Sequence, residues 1–303
     1  MGDVMSDLQA GVTEQFTQSF AKVLNRHGYG FQFSILRKAD ELIKQRKCVW
    51  ELEACEFPVE VQGAGTRIDF VLSRPPRRRN TTFLYLVAEC KRANPALSRW
   101  CFVKAPYKHS SSEDDPQWDR VILECLLREH DGLKSFARSI FSSPKIYHQA
   151  VEVRSNAKGD ASGETGQAIE NAATQVSRSL NGFIQTLVRE PQIILDDVKQ
   201  VDFLPVIFTT ADLYVSDVDL AIADLETGNI ELTSDMVEPV PWLFYQYPLS
   251  PGLKHSIPPK IRGYSLATLL QWEYLRTIPI VSSKGIEEFL VWSSLQLQTP
   301  ETQ

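Results

Sequence analysis

The sequence predicts an α/β fold, and three observations carry that prediction. The run Thr82–Lys91 (TFLYLVAECK) is apolar on both faces until it ends in charge, which marks a covered strand. Two long stretches, 6–27 and 167–189, repeat apolar residues at helical spacing. Shorter apolar runs at 66–72 and 203–210 have the length and flanking residues of further strands.

Taken in order, residues 6–27 read as an amphipathic helix with Leu8, Val12, Phe16, Phe20, Val23 and Leu24 on the face expected to meet the core. Gly28, Tyr29 and Gly30 end it, and a second helix covers 34–46. Residues 49–61 read as a strand with Trp50, Leu52 and Ala54 on one face and Glu51, Glu53 and Cys55 on the other. A turn at 62–65 leads into strand 66–72. The Pro-rich basic segment 73–80 then joins that strand to 82–91 as a β-hairpin. Segments 118–129 and 145–154 read equally well as helix or strand, and 110–116 and 155–166 as polar loops. Helix 167–189 presents Ile169, Ala172, Val176, Leu180, Phe183 and Leu187 on one face. Residues 203–210 form a buried strand, and 214–223 an edge strand with Asp217 and Asp219 on its wet face. The Pro- and aromatic-rich stretch 241–260 reads as an ordered loop, and 264–276 and 284–292 as helices. The expected organisation is a core over 1–230 with an insertion near 100–155. A C-terminal extension, 231–303, packs on that core within one globular unit.

Composition narrows the function classes. A chain of 303 residues, 43% apolar and 23% charged, suits a soluble globular protein. The N-terminus reads as lacking a secretory leader, and no segment has the length of a membrane span, so the expectation is a cytoplasmic protein without a membrane partner. Five cysteines without CxxC spacing read as reduced thiols rather than a disulfide or zinc framework. The five histidines form no HxxxH pair. No GxSxG elbow or GxxxxGK loop is present, which removes support for zinc hydrolase, serine hydrolase and P-loop readings. A net charge of −6 argues against a coating, non-specific DNA binder but leaves room for a local basic stripe.

The charge at the end of strand 82–91 needs a physical reason. Glu89 and Lys91 share a face with Phe83, Tyr85 and Val87, and burying such groups is costly unless they pair or hold a metal. Asp69 interrupts the preceding strand. The midpoint of 69 and 89 is residue 79, inside the basic turn, so the hairpin sets Asp69 roughly opposite Glu89, with Cβ atoms about 5 Å apart. Facing carboxylates repel, and a hard divalent cation on oxygen ligands resolves that repulsion. Lys91 is then placed to orient a water or steady a phosphate. The plainer reading is a structural ion pair at a sheet end. Arg77, Arg78 and Arg79 either contact a phosphate backbone or keep the hairpin tip solvated. Glu51, Glu53, Glu56 and Glu60 are further carboxylates that a metal site or solvent would accommodate. Lys104, Lys108, His109, Arg120 and Arg128 either line a nucleic-acid groove or are ordinary surface charges.

Asp69 followed by Glu89, Cys90 and Lys91 resembles the PD-(D/E)XK nuclease superfamily, which includes many restriction endonucleases and junction resolvases. Ile68 stands where that family usually has proline. The resemblance covers residues 6–92 and extends loosely beyond them. It implies a restriction-endonuclease-like αβββαβ core with a mixed central sheet flanked by helices. It also implies a Mg²⁺-dependent (or Mn²⁺-dependent) nuclease acting on nucleic acid, above all DNA, with a homodimer as a possible assembly. In that reading Asp69, Glu89 and the backbone carbonyl of Cys90 bind the metal, Lys91 positions the attacking water, and Glu14 of the first helix is the best-placed additional acid. Polar residues of helix 167–189, Gln175 and Arg178 among them, would approach the site. A nuclease-like fold kept as a binding or assembly module, or a defence effector awaiting a partner or trigger, are the alternatives.

Overall fold

A computed structural model describes residues 2–75, 82–104, 119–130, 132–153, 166–194, 198–255 and 266–297. The chain begins with helices α1 (Gly2–His27) and α2 (Tyr29–Lys44), hinged at Gly28, whose φ of 77° is comfortable only for glycine. Three antiparallel strands follow: β1 (Glu51–Val61), β2 (Ala64–Arg74) and β3 (Thr82–Lys91). Then come β4 (Arg99–Val103), β5 (Arg120–Glu129), β6 (Gly132–Ser142), β7 (Ile146–Tyr147) and β8 (Gln149–Val153). Helix α3 (Gln167–Arg189) crosses to β9 (Gln200–Thr209), which runs parallel to β3 from Thr82↔Gln200 to Lys91↔Thr209. The remainder is β10 (Asp212–Ser216), β11 (Glu238–Val240), β12 (Trp242–Pro248), a short helix α4 (Leu266–Leu269), β13 (Leu275–Ser282) and α5 (Ile286–Gln296).

The result is an α/β protein with a mixed central sheet flanked by helices. Its order is β1-β2-β3-β9-β13-β12-β7, with the β5–β6 hairpin attached to β9. A smaller sheet, β11-β10-β4-β8, is set beside it. The strand alternation expected of a doubly covered sheet is present in β3. Leu84, Leu86 and Ala88 join the core beneath α2 and α5, while Tyr85 and Val87 join the core beneath α3. Trp50, fully buried, ties the first strand to the last helix by donating from Nε1 to the Leu290 carbonyl and Ser293 Oγ, both at 3.2 Å. Arg74 donates to the carbonyls of Ser294 and Leu297 at 3.2 and 3.0 Å, which satisfies the otherwise unpaired C-terminal turn of α5.

Four sequence expectations change. The described apolar residues of α1 do not enter the core: Phe16, Phe20, Val23 and Leu24 are all exposed, because helical periodicity reports an apolar face and not what lies over it. Within the stretch expected to be a loop, Trp242–Pro248 is a strand inside the main sheet. The prolines at 239, 241, 248 and 251 bound the run rather than break it. Of the helix expected over 264–276, residues 264–265 lie outside the described residues; Leu266–Leu269 and one wide turn, Leu270–Tyr274, are helical, and the chain enters β13 at Leu275. The strand expected over 214–223 ends at Ser216. Asp219 there accepts from the Ala221 amide at 3.0 Å, and Asp217 pairs with Lys104 at 3.0 Å.

Helix α3 approaches β1 closely at Gly182. A Cβ there would lie 2.8 Å from Val59 Cβ and 2.9 Å from Val59 Cγ2. Gly182→Ala is therefore expected to lower stability by about 1–3 kcal/mol through overpacking, despite alanine's better helix propensity. Urea denaturation checks this, and an unchanged or raised midpoint would refute the tight contact.

Candidate metal-binding and catalytic pocket

The pleat inverts locally at one pair of facing residues. On β2, Ile68 belongs to the core beneath α3 and Phe70 to the core beneath α2 and α5, although residues two apart normally share a face. On β1, Cys55 and Phe57 split in the same way. The residues between them are Asp69 and Glu56, which face each other in a register running from Cys55↔Phe70 to Phe57↔Ile68. Glu56 has φ of 51°, a left-handed conformation that costs a non-glycine residue roughly 1–2 kcal/mol. Backbone strain of this kind concentrates at functional sites. The inversion turns both carboxylates out of the apolar layers.

A cavity of about 300 Å³ opens at this point, lined by Gly28, Tyr29, Gln32, Glu56, Arg67, Asp69, Glu89, Cys90, Lys91 and Gln175. The hairpin register Phe70↔Ala88 carries one step further to set position 69 against 89. Asp69 Oδ2 accepts from the Cys90 amide at 2.6 Å. In an extended strand a residue's N–H and C=O project to the same edge, so the Cys90 carbonyl faces the Asp69 side as well. Lys91 Nζ lies 2.8 Å from Glu89 Oε1 and donates to Gln175 Oε1 at 2.9 Å. Gln32 Nε2, from α2, donates to the Asp69 carbonyl at 2.7 Å. Arg67 and Glu56 form a loose pair at 3.9 Å.

Three residues singled out from the sequence, Asp69, Glu89 and Lys91, thus meet in one pocket with the Cys90 backbone. Gln175 and Glu56 line the same cavity. Glu14 is exposed on α1 and outside the lining. Arg77, Arg78 and Arg79, and likewise Lys108 and His109, fall outside the described residues. Arg120 is engaged with Ser139, and Arg128 with the carbonyls of Val198 and Ile194, so both serve the fold. Glu53 accepts from Ser73 and does not reach the pocket, nor do Glu51, Glu60 or Arg178. Gln32 was missed. Its signal was available, since it sits on the apolar stripe of α2 with Ile35, Ala39 and Leu42, where a buried amide needs a partner.

Electrostatics here are those of crowded carboxylates. Burial, reinforced by the Asp69 charge, pushes the Glu89 carboxyl up to about 8, and Lys91 offsets only part of that. Burial also raises Asp69, against the lowering effect of the Cys90 amide. Glu89 Oε2 is buried with no hydrogen-bond partner. Such an orphaned acceptor beside a second carboxylate and a main-chain carbonyl fits a hard cation that keeps part of its water shell. Among the described residues no three His, Cys, Asp or Glu side chains form a ready-made ligand cluster.

The raised Glu89 carboxyl predicts the pH dependence of metal-free stability. Below the ordinary glutamate value of 4.5, folded and unfolded chains both bind the proton. Between there and about 8 the unfolded chain has released it while the folded chain has not, so stability falls as pH rises through that window. The loss is on the order of a few kcal/mol. Glu89→Gln should raise the metal-free melting temperature at neutral pH and flatten this decline. A variant that melts lower than wild type at pH 7.5 would contradict the assignment.

These features define an α/β protein with a paired-carboxylate pocket set between the middle of β2 and the C-terminal end of β3 in a mixed sheet. Comparisons of the chain with protein-family models, curated proteins and solved structures return no match. Among the described residues no helix is long and apolar enough to cross a membrane.

Proposed function

We propose that this chain is a divalent-cation-dependent nuclease of the PD-(D/E)XK kind that hydrolyses phosphodiester bonds of nucleic acid, with DNA as the first substrate to test. The observation that carries the reading is the buried, unpartnered Glu89 Oε2 in a cavity that Asp69 also lines, with Lys91 Nζ 2.8 Å from the same carboxylate's other oxygen. Helix α2, three antiparallel strands and then, after the intervening strands β4–β8, helix α3 and the parallel strand β9 are the succession that supports a restriction-endonuclease-like core.

In this reading Asp69, Glu89 and the Cys90 carbonyl hold Mg²⁺ or Mn²⁺. Such a cation would supply Lewis acidity toward the scissile phosphate and toward the attacking water. Lys91 Nζ, steadied by Gln175, donates to the attacking water or to a non-bridging phosphate oxygen as charge develops there. Gln32 fixes the main chain at Asp69 and so the direction of its carboxylate. Arg67, at the edge of the pocket, is available to a flanking phosphate.

The test is a cleavage assay with Mg²⁺ and with Mn²⁺ on linear, supercoiled and single-stranded DNA and on RNA, beside Lys91→Ala. Metal-dependent cleavage lost in the variant supports the reading. Cleavage retained by purified Lys91→Ala rejects it. A second reading rests on the Lys91–Glu89 contact, which neutralises the carboxylate within the chain, and on the net acidity: a binding or assembly module in which the charged groups are residual. A folded protein that cleaves nothing and whose melting temperature ignores Mg²⁺ and Mn²⁺ would favour it. Cleavage appearing only with a partner or small-molecule trigger would instead mark an effector.

A further inference from the structure

Phe16, Phe20, Val23 and Leu24 on α1 are 67%, 53%, 51% and 42% exposed, and the two phenylalanine rings lie parallel with centroids 6.1 Å apart. They occupy one face at i, i+4, i+7 and i+8. The helix is tethered near its C-terminal end, where Arg92 donates to the Asn25 carbonyl, and these four residues are turned to solvent. At about 200 Å² per phenylalanine, Phe16 and Phe20 alone expose roughly 250 Å² per copy. With Val23 and Leu24 beside them on the same face, the exposed apolar surface approaches the size of the largest patch on an ordinary monomer, which is often functional.

We propose that a second copy of this chain covers the face, with the two α1 helices antiparallel about a two-fold axis near residue 14. The sequence carries apolar residues at 5, 8, 12, 16, 20 and 23, separated by three, four, four, four and three. That spacing reads the same from either end, so reversing the partner sets apolar position against apolar position: 5 against 23, 8 against 20, 12 against 16. A self-complementary patch is what a two-fold dimer requires. Glu14, nearest the axis, lies on the opposite side of the helix by the 3.6-residue turn, so the two copies do not oppose like charges at the centre. Two phenylalanines from each copy contribute roughly 500 Å². The lower bound of a stable interface is about 1,200 Å², so a stable dimer requires the remaining contact to come from the rest of the helix, which is about 39 Å long. The inference is independent of the proposed cleavage activity.

Light scattering and sedimentation of the full chain test it. Wild type is expected at twice 34.3 kDa at high micromolar concentration. F16E/F20E is expected at a single chain mass, with a dissociation constant at least about a hundredfold weaker. Its helix content should be retained, because the replaced side chains are exposed within one copy. V23E, which leaves the stacked rings intact, should weaken the dimer in the same direction. The orientation is read from L8K/F20E: an antiparallel pair sets lysine against glutamate twice and recovers at least about tenfold of the affinity lost in F20E alone. A parallel pair opposes like charges and recovers nothing. A wild-type chain that stays at one chain mass, or an F16E/F20E variant that remains dimeric, overturns the proposal. If the wild type is monomeric and F16E/F20E loses nucleic-acid binding, the face belongs to nucleic acid and the proposal also fails.

Discussion

Lys91→Ala is expected to lower metal-dependent cleavage by about a hundredfold to ten-thousandfold, the range for removing one charged donor or proton-transfer group from a reacting centre. The loss should fall on kcat, since Nζ is held by Glu89 and Gln175 at 2.8 and 2.9 Å and aimed into the pocket rather than toward an outlying substrate contact. Stability should change little. Lys91 is partly exposed, and its loss leaves beside it a carboxyl that burial already drives toward the neutral form. Asp69→Ala should abolish cleavage in a different way. In the proposed reading it removes a cation ligand, so the rise in melting temperature expected on adding Mg²⁺ or Mn²⁺ should disappear, whereas Lys91→Ala should retain that rise. Thermal melts with and without cation, run beside single-turnover cleavage, separate the two roles. A Lys91→Ala protein that cleaves normally, or an Asp69→Ala protein that keeps its cation-induced shift, would break the assignment at a defined point.

The largest stability effect is expected at Arg276, far from the pocket in sequence but coupled to it through α3. Glu124 is fully buried on β5, and its Oε1 lies 2.6 Å from Arg276 Nη2 and 2.8 Å from His255 Nδ1. Arg276 also donates to the Ser177 carbonyl at 2.9 Å and to Asn181 Oδ1 at 3.0 Å, both on α3. The cluster thus fixes β5, β13 and the helix that carries Gln175. Arg276→Ala strands a buried carboxylate and should cost about 3–5 kcal/mol. Arg276 and His255 outweigh burial and hold the Glu124 carboxyl at about 2. Because that folded value lies below the ordinary 4.5, the cluster's contribution is complete above 4.5 and lost as pH falls from there toward 2. Wild type should therefore show a steep acid transition that Arg276→Ala lacks. Chemical denaturation at pH 7 and at pH 3.5 checks both, and an acid limb of equal slope in the variant would refute the linkage.

How much of this was legible in the sequence depends on which physical rule each residue obeys. Asp69 and Glu89 were placed together because a hairpin's symmetry is readable from its loop, and helix 167–189 because its apolar face is covered in the ordinary way. Glu56 reaches the pocket only through a left-handed backbone turn that no residue type at that position announces. Arg276 read as the last residue of a helix, yet it is a buried cation at the start of a strand, because the helical spacing of Leu266, Leu269 and Leu270 does not show that the chain turns into β13 at Leu275. Glu124 fell in a segment equally readable as helix or strand, so its burial had no pattern to declare it. On α1 the pattern was right and the inference of a core within the same chain was not.

The pairing of β3 with β9, and of β9 with β13, has a consequence for biosynthesis. The strand bearing Glu89 and Lys91 leaves the ribosome well before its parallel neighbour, and that neighbour's far edge is closed only when residues 280–282 arrive. Trp50 likewise waits for the carbonyl of Leu290, 240 residues later. During translation the nascent chain therefore carries an assembled hairpin with an unfilled edge, the kind of surface that recruits stray strands. A stop codon placed just before residue 275 should yield an insoluble product rather than a shorter soluble one, and holding chaperones should crosslink to nascent chains most strongly between the emergence of β3 and that of β13.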